Sequence, residues 1–283
     1  MSNPKPRALL FDIGGVCVVS PFQGILDYEK SHNIPTGWVN HAISKSSPNG
    51  AWQRLERGEI PLDATFFAAF KHDLEHPSHW AAFILSRPIP PKSEPPSRPS
   101  PPPSIDAEAL FWRMMSLSRT PDPYMYPALR RLASSSPGSP RPFVLGALSN
   151  TVIFPPGHPF NAPADARADL RACFDVFVSS AHVGLRKPDP RIYALALERL
   201  REEVRRRERE EGKGEEEGQE LRAEEVVFLD DIGENLKAAR AAGMRTVRVW
   251  LGRTEGAVRE LEGITGMRLL ETESGGGEDR AKM

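Results

Sequence analysis

Short apolar runs alternate with longer segments of helical periodicity along much of the chain. Apolar runs of this length that end in polar or turn residues are typical of buried strands in a parallel sheet. Such runs predict strands at residues 8–11, 143–148, 175–179, 226–229 and 246–250. Helices are predicted to follow at residues 127–133, 190–209 and 234–242. This alternation predicts an α/β layered fold with a mostly parallel sheet.

The stretch from residue 21 to residue 122 is different, because it contains no comparable strand pattern. Its apolar residues recur at helical spacing, for example at Phe66, Phe67, Phe70 and Leu74. We therefore expect a helical subdomain that is inserted directly after the first strand.

Several segments have compositions that are unlike a folded core. Residues 87–104 are dominated by proline and serine, and residues 134–142 form a shorter segment of the same kind. Both should be extended or disordered. Residues 201–222 consist mainly of arginine, glutamate and glycine, and we expect them to prolong a helix as a charged arm. Residues 274–283 are predicted to form a flexible tail.

The charge balance bears on the class of partner. The formal net charge is −1 at pH 7, so no strong global field favours nucleic acid or an anionic membrane. No apolar stretch approaches the ~20 residues of a membrane-spanning helix. We expect a small-molecule partner and neither nucleic acid nor membrane, and the oligomeric state is not predicted.

The expected compartment is the cytoplasm. Two cysteines, Cys17 and Cys173, are too few for a disulfide framework, which indicates a reducing environment. The final residues Ala281, Lys282 and Met283 resemble a variant of a peroxisomal address. A polar tail without a targeting role is an equally good interpretation of them.

Residues that suit phosphoryl chemistry stand at the ends of the predicted strands. Asp12 follows the first strand, Ser149 closes the second, and Asp230 and Asp231 follow the fourth. Lys187 lies in a loop between the third and fourth strands. Open α/β sheets bind ligands at the carboxyl ends of their strands, so we expect these residues to meet at one edge of the sheet.

These residue types match the requirements of phosphate-ester hydrolysis, which needs an ionised nucleophile, a divalent cation and donors to the phosphoryl oxygens. We assign Asp12 as the nucleophile that forms an aspartyl-phosphate, Ser149 as a donor and Lys187 as the fixed cation. The predicted cofactor is Mg²⁺, which prefers few carboxylates together with carbonyl oxygens and water. Its predicted ligands are Asp12, the Gly14 carbonyl, Asp230 and Asp231.

Gly15 and Asn150 are assigned to substrate binding. Gly15 permits the tight backbone turn after Asp12 that aims amide groups at phosphate. Asn150 directly follows Ser149, although an asparagine at a strand end is also typical of a turn. The expected ligand is a small-molecule phosphate.

The same segments resemble the four motifs of the haloacid dehalogenase-like hydrolase superfamily. Motif I is similar to residues 11–16, motif II to residues 147–150, motif III to residues 184–188 and motif IV to residues 228–235. Residues 49–60 resemble the cap of a narrower group within it. That group contains the N-terminal phosphatase domain of soluble epoxide hydrolases and the N-terminal domain of certain acyl-CoA dehydrogenases.

This resemblance implies a Rossmann-like core with an inserted helical cap subdomain. The core would comprise residues 1–20 and 123–273, and the cap would comprise residues 21–122 with its proline-rich insertion at about 87–104. The resemblance also implies a Mg²⁺-dependent hydrolase that acts on a phosphate monoester.

One position departs from the pattern of the superfamily. Many of its phosphatases carry a second aspartate two residues after the nucleophile as the general acid, and here that residue is Gly14. General acid catalysis contributes about 10²–10⁴-fold to a rate, so we expect slow hydrolysis that favours good leaving groups. Two alternatives stay open: a haloalkanoate dehalogenase, and a catalytically weak binding protein that keeps the fold.

Overall fold

One parallel sheet forms the centre of the molecule. The computed structural model describes residues 4–87, 100–134, 141–163, 169–212 and 219–270. Within these ranges the strands are β1 (Ala8–Phe11), β2 (Val144–Ser149), β3 (Val176–Ser179), β4 (Val226–Asp230) and β5 (Arg245–Arg248). Their order is β3-β2-β1-β4-β5, and every pairing is parallel. The predicted α/β fold with a parallel sheet is therefore confirmed.

The last strand is shorter than its sequence pattern predicts. It was expected to reach residue 250, but β5 ends at Arg248. Arg248 pairs with Asp230, the final residue of β4, so the neighbouring strand ends at the same level. Trp250 then lies in the following turn with 59% of its surface exposed.

The strands are apolar throughout because both faces of the sheet are covered. Leu9 and Phe11 point into one hydrophobic cluster, and Ala8 and Leu10 point into the other. The helices that follow residue 122 in the described ranges are α7 (Met125–Ala133), α8 (Ser180–Val183), α9 (Pro190–Glu210), α10 (Gly233–Ala241) and α11 (Thr254–Thr265). Helices α7 and α11 pack on the first face, and α9 and α10 pack on the second.

Six further helices lie between β1 and α7 in the described part of the chain. They are α1 (Pro21–Ser31), α2 (Trp38–Lys45), α3 (Ala51–Glu56), α4 (Ala64–Leu74), α5 (Pro77–Leu85) and α6 (Ala107–Leu117). We call these six helices the helical insertion. Side chains such as Trp38, Phe70 and Phe111 build a hydrophobic cluster of their own within it. Helices α1, α4 and α6 are each preceded by an N-cap residue whose side chain accepts hydrogen bonds from backbone amides of the first turn. These residues are Ser20, Asp63 and Asp106.

The charged arm prolongs a helix, since α9 continues to Glu210 and Gly212 follows with φ of 77°. Most of the other low-complexity predictions fall outside the described residues, including the proline-rich stretch 88–99 and the tail with its terminal Ala-Lys-Met. The domain boundaries near residues 20 and 122 stay predictions. No helix in the described ranges combines the length and the apolar character that crossing a bilayer requires.

The strand register determines where the functional residues meet. Phe11 pairs with Ala147 on one side and with Leu229 on the other. The carboxyl ends of β1, β2 and β4 therefore lie within two residues of one another, and the polar residues at or directly after these ends lie at one edge of the sheet.

Candidate active site

Three aspartates converge at this edge of the sheet. Asp12, Asp230 and Asp231 each offer a carboxylate oxygen, and these oxygens lie within 4.8 Å of one another. All three residues are buried, with 6%, 0% and 9% of their surface exposed. The structure thus brings together the three carboxylates that the sequence assigned to a metal ion.

Lys187 is the positive charge within this acidic cluster. Its Nζ lies 2.8 Å from Asp12 Oδ1 and 2.7 Å from Asp230 Oδ2, and 1% of its side chain is exposed. Burial alone would lower the pKa of Lys187, but the two carboxylates outweigh burial and raise it. Lys187 is therefore charged, and it bridges Asp12, which follows β1, and Asp230, the last residue of β4.

The two neighbouring aspartates at the end of β4 have different surroundings. Asp230 accepts hydrogen bonds from Lys187 Nζ, from the Ile232 amide at 2.7 Å and from Asn235 Nδ2 at 3.1 and 3.0 Å. By contrast, Asp231 Oδ1 is buried without any hydrogen-bond partner. Asp230 is therefore held in place by the protein, whereas Asp231 keeps an oxygen for a ligand.

The burial of these acids changes their titration. Burial raises the pKa of Asp12 to about 7; the nearby charge of Asp230 adds to this rise, and Lys187 opposes it. Burial likewise raises the pKa of Asp231 to about 8, with Asp12 and Asp230 acting in the same direction. Both carboxylates lack sufficient compensating charge among the described residues, and a bound cation would supply it.

The donor set fits a hard divalent cation. The cluster offers only oxygen donors, it carries three acids against one lysine, and one buried oxygen of Asp231 has no partner. Oxygen ligands of this kind suit Mg²⁺. The predicted backbone ligand, Gly14, lies on the wall of the same cavity.

Gly15 is required for the approach of the loop after β1 to Asp231. Its φ is 79°, in the left-handed region that favours glycine. A Cβ atom at this position would lie 2.6 Å from Asp231 Oδ2 and 2.9 Å from its Cγ. Any side chain here would displace the carboxylate that has the free oxygen.

The two residues at the end of β2 lie beside this cluster. Ser149 is 3% exposed, and its Oγ makes a long hydrogen bond of 3.4 Å to the Asn150 carbonyl. Asn150 Oδ1 accepts from the Lys187 amide at 2.8 Å, and its Nδ2 donates to the Lys187 carbonyl at 3.2 Å. The Asn150 side chain thus contacts the lysine loop, and both residues line the cavity.

A cavity of about 590 Å³ opens above the carboxylates. Part of its wall is an apolar surface supplied by the helical insertion, formed by Phe22, Ile25, Ile43, Trp52 and Met114. Polar groups from both parts of the chain complete the wall, among them Glu56 of α3 and Arg186 of the lysine loop.

Sequence reasoning had assigned no role to Asn235, Glu56 or Arg186. Asn235 follows the acidic pair at the start of α10, and this spacing could have indicated a partner for Asp230. No sequence signal connects Glu56 to Arg186, because the packing of the helical insertion on the core brings them together.

The chain is similar in sequence to a known family and to curated proteins. A sequence model of the haloacid dehalogenase-like hydrolase family matches residues 116–243, a range that contains Ser149, Lys187, Asp230 and Asp231. Acyl-CoA dehydrogenase family member 10 of Mus musculus is 30% identical over 264 residues, which cover 93% of this chain and 19% of that protein. Bifunctional epoxide hydrolase 2 of Sus scrofa is 29% identical over 267 residues, which cover 94% of this chain and 40% of that protein.

The chain spans less than half the length of either relative. Among solved structures, a magnesium complex of a HAD family enzyme from Bacteroides thetaiotaomicron is similar with a TM-score of 0.48 and 17% sequence identity. That similarity covers 88% of this chain and 96% of the other. The family match over residues 116–243 contains the predicted motifs II, III and IV, and this part of the chain belongs to the haloacid dehalogenase-like hydrolases.

Proposed function

We propose that this hydrolase is a Mg²⁺-dependent phosphatase that acts on a small molecule through an aspartyl-phosphate on Asp12. The observation that supports this proposal most strongly is the buried, unpartnered Oδ1 of Asp231 beside Asp12. An isolated buried carboxylate is costly, and a divalent cation held by Asp12, Asp230, Asp231 and the Gly14 carbonyl would offset its charge.

Asp12 is oriented to act as the nucleophile. Its Oδ1 accepts from the Ile13 amide at 2.7 Å and from Lys187 at 2.8 Å, and no described residue donates to Oδ2. Attack by Oδ2 forms an oxygen–phosphorus bond and breaks the bond to the leaving oxygen. Water then cleaves the aspartyl-phosphate, which releases inorganic phosphate and restores the carboxylate.

The remaining residues supply charge and hydrogen bonds. Lys187 stabilises negative charge that develops on the phosphoryl group, and the Ser149 hydroxyl donates to one of its oxygens. The bound cation would supply further charge neutralisation and keep Asp12 ionised. Gly14 has no side chain to protonate the leaving oxygen, so the reaction favours leaving groups that depart as anions, such as those of aryl and acyl phosphates.

The cavity supports a small substrate with an apolar leaving portion. Trp52 and Phe22 line the side that belongs to the helical insertion, where an aryl group would pack. A volume of about 590 Å³ suits a small molecule rather than a nucleic acid.

Turnover of 4-nitrophenyl phosphate tests the proposal. We expect Mg²⁺-dependent release of phosphate, loss of this activity in EDTA, and no turnover in the Asp12→Asn variant with an unchanged fold by circular dichroism. Halide release from a 2-haloacid that survives EDTA would instead identify a dehalogenase. Absence of both activities in a folded, Mg²⁺-loaded protein would leave the binding-protein alternative.

A further inference from the structure

A buried ion pair connects the helical insertion to the loop that carries Lys187. Arg186 Nε donates to Glu56 Oε2 at 2.7 Å, and 9% of the Glu56 side chain is exposed. Glu56 is the last residue of α3, and Arg186 directly precedes the lysine of the acidic cluster. The pair therefore joins two parts of the chain at the wall of the active-site cavity.

The position of α3 against the core is closely defined. Gly58 follows this helix with φ of 66°, and a Cβ atom there would lie 2.2 Å from the Ala181 carbonyl oxygen. Since the backbone of the insertion contacts the backbone of α8 this closely, the Glu56 carboxylate has a fixed position relative to Arg186.

The ion pair uses only part of the arginine. A guanidinium carries five N–H donors in a plane, and Glu56 accepts from the one on Nε. Neither Nη group donates a hydrogen bond to a described residue. The edge formed by the two Nη groups can bind a carboxylate or a phosphate through two parallel hydrogen bonds.

Arg186 is also the positively charged side chain of the cavity wall that is available to bind a substrate. The described residues that line the cavity include two with positive side chains, Lys187 and Arg186. Lys187 is already engaged by Asp12 and Asp230. Apolar side chains, among them Trp52 and Ile43, form much of the remaining wall. A ligand that is apolar along its middle and anionic at a second point would match this arrangement.

We propose that Arg186, oriented by Glu56, determines specificity by binding a second anionic group on the leaving portion of the substrate. The substrates are then phosphate esters that also carry a carboxylate or a second phosphate. Arg186 contacts the substrate directly, whereas Glu56 is a positioning residue that acts through Arg186. This inference rests on the proposed phosphatase function.

A matched pair of substrates, phenyl phosphate and 4-carboxyphenyl phosphate, tests this inference. The quantity compared is kcat/KM for the carboxylated ester divided by kcat/KM for phenyl phosphate, both measured in Mg²⁺. Arg186→Gln should lower this ratio by about 10- to 100-fold, which is the range expected for the loss of a charged hydrogen bond. The loss should appear in KM for the carboxylated ester. Glu56→Gln should shift the ratio in the same direction by less, and Arg186→Lys should restore part of it.

Arg191→Gln is the control, because it removes the same charge from an exposed position on α9. Its ratio should equal that of the wild type. Equal losses on both esters in Arg186→Gln would show that Arg186 only joins the insertion to the core, and an unchanged ratio would exclude any recognition role.

A binding measurement separates this inference from the proposed function. Calorimetry with benzylphosphonate and its 4-carboxy derivative needs no turnover, so it reports on Arg186 even if neither ester is hydrolysed. The wild type should bind the carboxylated phosphonate more tightly than benzylphosphonate. Arg186→Lys should reduce this difference in affinity, and Arg186→Gln should reduce it further. Equal binding of both phosphonates to the wild type would overturn the inference, whereas lack of ester hydrolysis alone would overturn the phosphatase.

Discussion

Asn150 and Lys187 are joined by a reciprocal pair of hydrogen bonds. The Asn150 side-chain oxygen accepts from the Lys187 amide at 2.8 Å, and its side-chain nitrogen donates to the Lys187 carbonyl at 3.2 Å. The asparagine at the end of β2 thus fixes the backbone of the residue whose side chain reaches Asp12. Its contact is with the lysine loop, and any contact with substrate would use the remaining N–H.

Asn150→Ala should therefore lower kcat for 4-nitrophenyl phosphate by about 10-fold or more, because Lys187 loses the support for its position. The free energy of unfolding should fall by about 1–2 kcal/mol, since each hydrogen bond contributes about 0.5–1.5 kcal/mol. Asn161→Ala is the control, as it removes one exposed hydrogen bond to the Pro155 carbonyl. A loss of stability with unchanged kcat would mean that Asn150 supports only the fold.

The strands and the cluster of acids were predictable because they depend on local sequence. Continuous apolar runs indicate strands that are buried on both faces, and polar residues at their ends must meet at one edge of a parallel sheet. The different surroundings of Asp230 and Asp231 were not predicted, although the spacing of Asn235 could have indicated a partner for Asp230. They depend on Asn235 and Lys187, which the fold brings to Asp230 and not to its neighbour.

The residues of the helical insertion that line the cavity could not be predicted from the sequence, because they also depend on how distant segments pack. Helical periodicity indicates that α1 to α6 exist, but it does not tell which apolar residues face the cavity and which face the insertion's own core. Trp52 lines the cavity and also packs against Phe70 and Phe111. The contact between Glu56 and Arg186 spans 130 residues and follows only from how the insertion packs on the core.

Removal of the Asp231 charge should have opposite effects with and without metal. Mg²⁺ should raise the thermal midpoint of the wild type, because a ligand at 100 times its Kd stabilises by about 2.7 kcal/mol. Asp231→Asn should lose most of this increase. Asp27→Asn, which alters an acid on α1 outside the cluster, should keep it. Equal stabilisation of all three proteins would exclude Asp231 as a ligand.

The metal-free proteins should differ in their pH dependence. The folded pKa of Asp231 is about 8, whereas an unfolded aspartate titrates near about 3.9. Between these values the unfolded chain has released the proton that the folded chain retains, so wild-type stability falls as pH rises toward 8. In EDTA, Asp231→Asn should be more stable than the wild type at pH 8, and the difference should shrink toward pH 5. Urea unfolding at both pH values measures it, and parallel curves would contradict the raised pKa.

Gly15→Ala should disrupt the site by two separable effects. A left-handed conformation costs a residue with a side chain about 1–2 kcal/mol, and the new Cβ would also collide with Asp231. Gly157→Ala isolates the first effect, since its φ is 76° and no atom lies within 4 Å of the added Cβ. We expect Gly157→Ala to lose about 1 kcal/mol with normal activity. Gly15→Ala should lose more stability together with turnover, and identical behaviour of the two variants would exclude the collision.

Gly14→Asp should supply a general acid at the position where this chain has glycine. Gly14 has no positive φ, and a Cβ atom there would lie 3.3 Å from Pro21 Cδ, so a side chain requires only a small shift. A carboxylic acid two residues after Asp12 could protonate the leaving oxygen, which matters most for alkyl esters. We expect hydrolysis of 2-phenylethyl phosphate to rise by about 10-fold or more, against a smaller change for 4-nitrophenyl phosphate.

The slope of log kcat/KM against leaving-group pKa measures this effect across a series of aryl and alkyl phosphates. The wild type should show a steep negative slope, because its leaving groups depart without a proton from the enzyme. Gly14→Asp should show a shallower slope. Gly14→Asn, which has nearly the same size but no proton to transfer, should keep the steep slope of the wild type. A shallow slope in the wild type would mean that another group already protonates the leaving oxygen, and the argument from Gly14 would then be wrong.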